Sequence, residues 1–317
     1  MARHAQLRLA GVLAVAASLA ATPCPALAGD VAVRLSLSQQ FYYVGDALDV
    51  QITVHNRGQK SVENPIKTAL LDGFHVRRDG QILSRSGKPG SEEPTRPEKI
   101  AAGSFYGGVF ELTEHYPELR GAGTFEIHWS ADQVVSDMIV VTTIPRFDPM
   151  QEYTAEIQTE LGAITLELYA NESPIAVKSF VDLAHAGFYD GLQISEVHAD
   201  AYIVGGDPRF SDRPRPSIEF PAETSAAPLV AGTVVLRPVR AAPPGNGPTF
   251  VILLRPQPAW TGQVTVLGQV TAGLDVVQRL ARLPSSMRNS QPNFKPLRET
   301  RIERLTVRPK PAVPPAS

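Results

Sequence analysis

Hydrophobic and polar residues alternate along the N-terminal half of the chain with the period of β-strands. Valine, leucine or isoleucine occupies every second position over 31–37 and over 48–54. Side chains of a strand point alternately to opposite faces, so each apolar set lies on one face. Further strand-like runs lie at 109–112, 124–129 and 138–143, and no helical period separates them. The pattern predicts an antiparallel β-sandwich.

The C-terminal half combines the period of β-strands with the period of α-helices. Apolar residues alternate over 153–157 and 164–168, on either side of Leu161-Gly162, and predict a hairpin. A helix follows, with Ser173 as its expected capping residue, Pro174 at its first position and Gly187 after its end. Further extended segments are expected at 201–204, 233–236, 250–254, 264–267 and 302–307, with a second helix at 274–283.

The first residues have the pattern of an export signal. Arg3, His4 and Arg8 precede an apolar run from Leu9 to Ala21, and Ala26-Leu27-Ala28 follows it as the expected cleavage region. The run is shorter than the roughly 20 residues that a membrane-spanning helix needs. We therefore expect a signal peptide over 1–28, cleaved near Ala28, and an exported, periplasmic protein without a membrane span. An uncleaved anchor and lipidation of Cys24 are the alternatives left open.

Composition narrows the chemistry. The 317 residues carry a net charge of −2, which does not favour a nucleic acid or an anionic membrane as partner. Cys24 is the single cysteine of the sequence and lies in the expected signal peptide, so cysteine-based chemistry is not expected. We expect no cofactor.

The predicted organisation is a signal peptide (1–28), a sandwich (29–145), a linker (146–151), a second domain (152–308) and a disordered proline-rich tail (309–317).

The N-terminal domain loosely resembles immunoglobulin-like modules of bacterial exported proteins. The resemblance rests on Val44-Gly45-Asp46 leading into a strand that ends at His55-Asn56, and on Gly121-Ala122-Gly123 opening a late strand. It implies a spacer or a binding surface. His55 and His128 have no second ligand at a suitable spacing, and we interpret them as structural or surface residues.

A second resemblance covers roughly residues 150–308. Gly187-Phe188-Tyr189-Asp190-Gly191, Gly205-Gly206-Asp207-Pro208, Trp260 and Val266-Leu267-Gly268-Gln269-Val270 occur in an order and spacing that resemble a cyclophilin-type peptidyl-prolyl cis-trans isomerase. The resemblance implies a closed eight-stranded β-barrel with two helices, and prolyl isomerisation as the family activity. The expected fold class is mainly β: an immunoglobulin-like sandwich followed by a cyclophilin-like barrel.

The chain departs from the family at the positions that the resemblance marks as catalytic. The family's Phe-His-Arg triplet becomes Ile194-Ser195-Glu196, and Val204 replaces the orienting glutamine. An ionised carboxylate only accepts hydrogen bonds, so Glu196 lacks the donor function of arginine. Arg237 lies on the groove wall and is either a substitute donor or a space-filling partner of Glu196. The expected peptide-binding groove comprises Ala201, Tyr202, Val204, Arg237, Thr249, Phe250, Val251, Trp260 and Val264.

Glu196, His198 and Asp200 recur at period two, which on a strand places them on one face. A divalent metal patch is one interpretation, and a hydrolase triad with Ser195 is another. We interpret the three residues as a solvated rim of the barrel and expect no metal site.

Our leading hypothesis is an exported, cyclophilin-like protein that binds proline-containing or extended polypeptides with weak or no isomerase activity, as a chaperone or scaffold. Aromatic and apolar groove walls still offer burial to a peptide when the catalytic donor is missing. An active periplasmic isomerase that assists folding of exported proteins is the first alternative. A structural adaptor that works through the immunoglobulin-like domain is the second. The sequence leaves the oligomeric state open.

Overall fold

The computed structural model of the chain describes residues 30–39, 41–86, 94–211, 218–239, 245–288 and 291–310. The predicted signal peptide with Cys24, and residues 311–317 of the predicted tail, lie outside these ranges. Within the described ranges, no helix combines the length and the apolar character needed to cross a membrane.

The described part of the N-terminal domain consists of two larger β-sheets, one two-stranded sheet and three short 3-10 helices. The 3-10 helices are Leu70–Gly73, Leu112–Glu114 and Pro117–Arg120. The strands are β1 Val31–Leu37, β2 Tyr42–Tyr43, β3 Asp49–Asn56, β4 Val62–Glu63, β5 Phe74–Arg78, β6 Gln81–Ile82, β7 Lys99–Ile100, β8 Phe105–Glu111, β9 Gly123–Ala131, β10 Val134–Val135 and β11 Ile139–Ile144.

The two larger sheets of this domain enclose one core. One sheet has the order β1-β3-β8 and the other the order β2-β11-β9-β5-β6, with β10 beside β9. Ile52 of the first sheet and Ile127 of the second are fully buried in the same cluster, as the period-two pattern predicted. Trp129 is also fully buried, and its indole N–H donates a 2.6 Å hydrogen bond to the carbonyl of Leu70.

One part of the predicted pairing is wrong. The sheets are not antiparallel throughout, because β2 pairs in parallel with β11, with Tyr42 opposite Thr143. β2 has only two residues, and it joins the far end of β11 rather than forming a hairpin with a neighbouring strand. The relation to immunoglobulin-like modules stays a prediction.

The C-terminal domain is built around one long curved sheet. Its helices are α1 Pro174–His185 and α2 Leu274–Ala281, and a 3-10 helix covers Pro258–Trp260. Its strands are β12 Tyr153–Thr159, β13 Gly162–Leu168, β14 Glu196–His198, β15 Tyr202–Gly205, β16 Phe220–Pro221, β17 Thr233–Val239, β18 Gly245–Leu253, β19 Thr265–Ala272, β20 Ser285–Arg288, β21 Gln291–Pro296 and β22 Ile302–Pro309.

The strand order of the long sheet is β14-β15-β18-β17-β19-β13-β12-β22, with β16 beside β18. Ile203, Ile252 and Val234 pair across three of these strands and point into the core, where Phe180 of α1 covers them. The hairpin formed by β20 and β21 lies against β14. The groove described below is on the opposite face of the sheet.

The described strands do not close the sheet into a complete barrel ladder. β14 and β22 are its two edge strands, and β14 has only three residues. The chain before β14 nevertheless meets the chain at the start of β22. Gly191 donates a 2.7 Å backbone hydrogen bond to Ile302, and Ile194 donates one of 2.8 Å to Thr300. Backbone hydrogen bonds outside the strands therefore connect the two edges.

The N-terminal cap of α1 differs from the sequence prediction. Ser173 holds the capping position, but its side chain makes no capping hydrogen bond. The carboxylate of Glu223 accepts the backbone N–H groups of Ile175 and Ala176 instead, at 3.1 and 2.8 Å. A carboxylate at this end also interacts favourably with the helix dipole. Glu223 is distant in sequence, so local spacing does not indicate it.

The two domains contact each other directly. Phe41 and Phe147 of the N-terminal domain and the connecting segment pack against the hydrophobic core of the C-terminal domain. Phe147 also stacks on Tyr153, with ring centroids 5.2 Å apart. The segment predicted as a linker therefore lies on the surface of the C-terminal domain.

Candidate functional site

A pocket opens on the outer face of strands β15, β17 and β18. Val204 lies opposite Val251 in the β15–β18 ladder, and Val251 lies opposite Val235 in the β17–β18 ladder. Cross-strand neighbours on one face contact each other, so these valines form an apolar floor. The cavity has a volume of about 300 Å³ and is lined by Tyr202, Val204, Val235, Leu236, Arg237, Pro238, Val251, Trp260, Gln263 and Val264.

Two aromatic rings form one wall of this pocket. The ring centroids of Tyr202 and Trp260 lie 5.5 Å apart, at an interplanar angle of 56°. Trp260 is the last residue of the 3-10 helix between β18 and β19, and Tyr202 is the first residue of β15. Both side chains are partly exposed.

Most of the residues assigned to the groove from the sequence line this pocket. Tyr202, Val204, Arg237, Val251, Trp260 and Val264 do so. Ala201, Thr249 and Phe250 are not among its lining residues.

The assignment of Phe250 to the groove is corrected by its position in the strand. Its side chain is 1 % exposed and packs edge-on against Phe180, with centroids 6.3 Å apart. Val251 faces the pocket, so its neighbour on the same strand faces the core. The same alternation, applied to β17, identifies Val235 two positions before Arg237. Sequence reasoning missed Val235, although the period-two rule was enough to find it.

Glu196 is held by two side chains at the rim of the pocket. Arg237 donates a 2.6 Å hydrogen bond from Nη1 to Oε1 of Glu196. On the other side, Nε2 of His198 lies 3.3 Å from Oε2. Glu196 itself pairs with Val204 across the β14–β15 ladder, which places its carboxylate beside the pocket.

These contacts keep Glu196 ionised. Burial alone would raise the pKa of its carboxyl group, but the hydrogen bonds from Arg237 and His198 outweigh burial and hold the pKa below the ordinary value of 4.5. At neutral pH the group is therefore a carboxylate whose two oxygens already accept hydrogen bonds. It has no proton to donate to a substrate.

His198 is enclosed by aromatic rings. Its imidazole stacks on Phe294 of β21, with centroids 3.7 Å apart, and its centroid lies 4.1 Å from that of Tyr202. Burial lowers the pKa of His198 below 6.5, although the contact with Glu196 opposes the shift. His198 is consequently neutral at neutral pH, and it links the β20–β21 hairpin to the rim of the pocket.

The structure separates Asp200 from the other two members of the period-two set. Asp200 has a φ of 55° and pairs with Arg282 at 3.5 Å, because the chain turns between β14 and β15. Ser195 makes its hydrogen bond to the backbone carbonyl of Val204. Among the residues that the structure describes, no three His, Cys, Asp or Glu side chains converge on a position that would hold a metal ion.

Comparison with known proteins identifies the family. The family model "Cyclophilin type peptidyl-prolyl cis-trans isomerase/CLD" matches residues 154–307. Over 161 residues the chain is 34 % identical to peptidyl-prolyl cis-trans isomerase cypE of Dictyostelium discoideum, which covers 50 % of this chain and 99 % of that protein. The chain belongs to the cyclophilin-type peptidyl-prolyl isomerase family. The family match leaves the N-terminal domain of this cyclophilin unassigned.

Other cyclophilins match the same half of the chain. Peptidyl-prolyl cis-trans isomerase-like 1 of Neurospora crassa is 33 % identical over 154 residues, covering 48 % of this cyclophilin and 91 % of the relative. The ppi1 protein of Schizosaccharomyces pombe is 37 % identical over 142 residues, covering 43 % and 92 %. A crystal structure of a cyclophilin-type isomerase from Cryptosporidium parvum aligns with a TM-score of 0.45 at 25 % identity, covering 50 % of this chain and 99 % of that one.

Proposed function

We propose that this cyclophilin binds extended or proline-containing polypeptide segments in the pocket beside Trp260, and that it isomerises prolyl bonds weakly or not at all. The observation that carries the proposal is the environment of Glu196. Its carboxylate occupies the family's arginine position and already accepts hydrogen bonds from Arg237 and His198.

The environment of Glu196 matters because prolyl isomerisation needs a hydrogen-bond donor. Rotation about a prolyl bond breaks amide resonance against a barrier of about 18–20 kcal/mol. A donor directed at the prolyl nitrogen stabilises the lone pair that develops there. A carboxylate at that position repels the lone pair, and removing one such donor from an active site typically lowers kcat by about 100- to 1,000-fold.

Peptide binding does not need that donor. The pocket offers an apolar floor and one wall of two aromatic rings, and such surfaces bury the side chain of a peptide favourably. A protein that holds polypeptide without accelerating its isomerisation acts as a chaperone-like or scaffold module. We further propose that it does so after export, in the periplasm, with the N-terminal domain as a spacer or second binding surface.

Binding of a proline-containing peptide to the full chain tests the proposal. Calorimetric titration should give saturable binding that Trp260→Ala abolishes. Val140→Ala is a suitable control, because Val140 is 56 % exposed in the N-terminal domain and does not line the pocket. Equal affinity of Trp260→Ala and the unaltered chain would contradict binding in this pocket.

A working isomerase is the second candidate, and the position of Arg237 favours it. Arg237 lines the pocket, and the structure records a hydrogen bond from only one of its nitrogen atoms, within the described residues, to Glu196. Its remaining donors could reach a substrate amide. If Arg237 replaces the missing donor, Arg237→Ala abolishes turnover of a prolyl peptide; unchanged turnover removes this candidate.

A further inference from the structure

The pocket is larger than a prolyl ring requires. An engineered apolar cavity of about 150 Å³ is enough to hold a benzene molecule. The pocket beside Trp260 has a volume of about 300 Å³. A pyrrolidine ring is smaller than benzene and would leave much of this space without contacts, and each unfilled part of an apolar cavity forfeits dispersion energy.

Small branched side chains create this space. Four valines, Val204, Val235, Val251 and Val264, line the pocket, and each is at most 8 % exposed. They belong to one buried cluster with Leu229, Leu253 and Val266, so neighbouring side chains fix their positions. The floor is therefore apolar and formed by buried side chains.

The groups above the floor favour an aromatic ligand. Tyr202 and Trp260 contribute partly exposed aromatic rings to the lining, and aromatic pairs gain about 0.5–1.5 kcal/mol beyond the area that they bury. The Arg237 guanidinium lies at the same mouth, and a guanidinium over an aromatic face adds a cation–π attraction. Neither gain is available to the saturated ring of proline.

We propose that the pocket selects a peptide segment by an aromatic side chain rather than by proline, with Val251 and Val264 as the specificity-determining residues. This inference rests on the proposed function, because it names the class of side chain that the same groove holds. It also fits a chaperone-like role, since unfolded chains expose aromatic residues that folded proteins bury.

The fluorescence of Trp260 gives a direct readout. The sequence has two tryptophans, and Trp129 is fully buried in the N-terminal domain. Ligand binding in the pocket therefore changes the emission of Trp260. The full chain is titrated with four blocked pentapeptides, Gly-Ser-X-Ser-Gly, in which X is phenylalanine, leucine, proline or alanine. The phenylalanine peptide should bind at least about tenfold more tightly than the proline peptide.

Variants that fill the pocket test the residues responsible. Val251→Phe and Val264→Phe each add volume to the lining of the pocket, and each should weaken binding of the phenylalanine peptide at least about tenfold. Val140→Phe introduces the same side chain on the N-terminal domain and should leave the affinity unchanged. Circular dichroism identifies any variant that does not fold, and the measurement on the unaltered chain stands independently of all three.

The possible failures are distinguishable. Proline binding as tightly as phenylalanine, or more tightly, would overturn this inference and leave the proposed function intact. Leucine binding as tightly as phenylalanine would overturn the assignment of an aromatic ligand. Absence of binding for all four peptides would overturn the proposed function, and this inference with it.

Discussion

The hydroxyl group of Tyr43 in the N-terminal domain donates a 2.6 Å hydrogen bond to Oδ2 of Asp182 in helix α1. Lys178, one turn earlier on that helix, contacts both groups, and its ammonium lies 5.0 Å from the centre of the Tyr43 ring. Arg146 lies 4.7 Å from the same centre. A side chain of one domain thus completes a polar cluster on the other, and the two domains form a specific contact.

Tyr43→Phe tests this contact. The substitution removes one donor from Asp182, whose side chain is only 6 % exposed, while Lys178 remains as a partner. A lost hydrogen bond to a buried charged group lowers the free energy of unfolding by about 1–3 kcal/mol. Urea denaturation measures the change. Tyr169→Phe is the control, because the described residues show no hydrogen bond from the Tyr169 hydroxyl, and equal effects of the two substitutions would contradict the contact.

The N-terminal cap of helix α1 can be tested by substituting Glu223, with Ser173, the cap expected from the sequence, as the control. Glu223→Ala removes the acceptor of two backbone N–H groups and should lower the free energy of unfolding by about 0.5–2 kcal/mol. Ser173→Ala should have a smaller effect, because the Ser173 hydroxyl is buried without a hydrogen-bond partner among the described residues. Thermal unfolding of both variants decides between the two caps. A larger loss of unfolding free energy for Ser173→Ala than for Glu223→Ala would identify Ser173 as the cap, as the sequence predicted.

Strands that bury one face are predictable from the sequence, whereas contacts between residues far apart in the chain are not. Period-two alternation located β1, β3 and β9 because each buries one face, and family spacing located Trp260 and Glu196. Phe250 was assigned to the groove as an aromatic wall residue, although alternation along β18 places it on the core face. The Glu223 cap and the Tyr43–Asp182 contact join residues far apart in sequence, and no local pattern encodes such partners.

The stability of the C-terminal domain should rise with pH through the titration range of His198. The folded pKa of His198 lies below 6.5, mainly because of burial, so the unfolded chain binds the proton more readily. Stability linked to the neutral ring is therefore complete above pH 6.5 and is lost as the pH falls through the folded pKa. Glu196, whose folded pKa lies below 4.5, acts in the same direction at lower pH.

His198→Phe isolates this contribution. Phenylalanine can stack between Tyr202 and Phe294 but does not titrate, so the pH dependence of the unfolding free energy should become shallower between pH 5 and pH 7. Denaturant unfolding at several pH values measures the slope. An unchanged slope would show that His198 does not titrate differently in the folded state.

The ion pair between Arg237 and Glu196 should contribute little to stability. The side chain of Arg237 is 42 % exposed, so solvent screens the attraction, and exposed pairs contribute about 0.2–1 kcal/mol. A double-mutant cycle with Arg237→Ala and Glu196→Gln measures the coupling free energy. A value well above about 1 kcal/mol would mean that the pair is a structural element of the barrel rather than a feature of the groove.

The rate of prolyl isomerisation itself is the decisive measurement for the role of Glu196. A protease-coupled assay on a prolyl tetrapeptide compares the full chain with the Dictyostelium discoideum relative under the same conditions. Because Glu196 supplies no donor, we expect the kcat/KM of the full chain to lie at least about 100-fold below that of the relative. A smaller deficit would contradict the claim that a carboxylate at this position prevents catalysis.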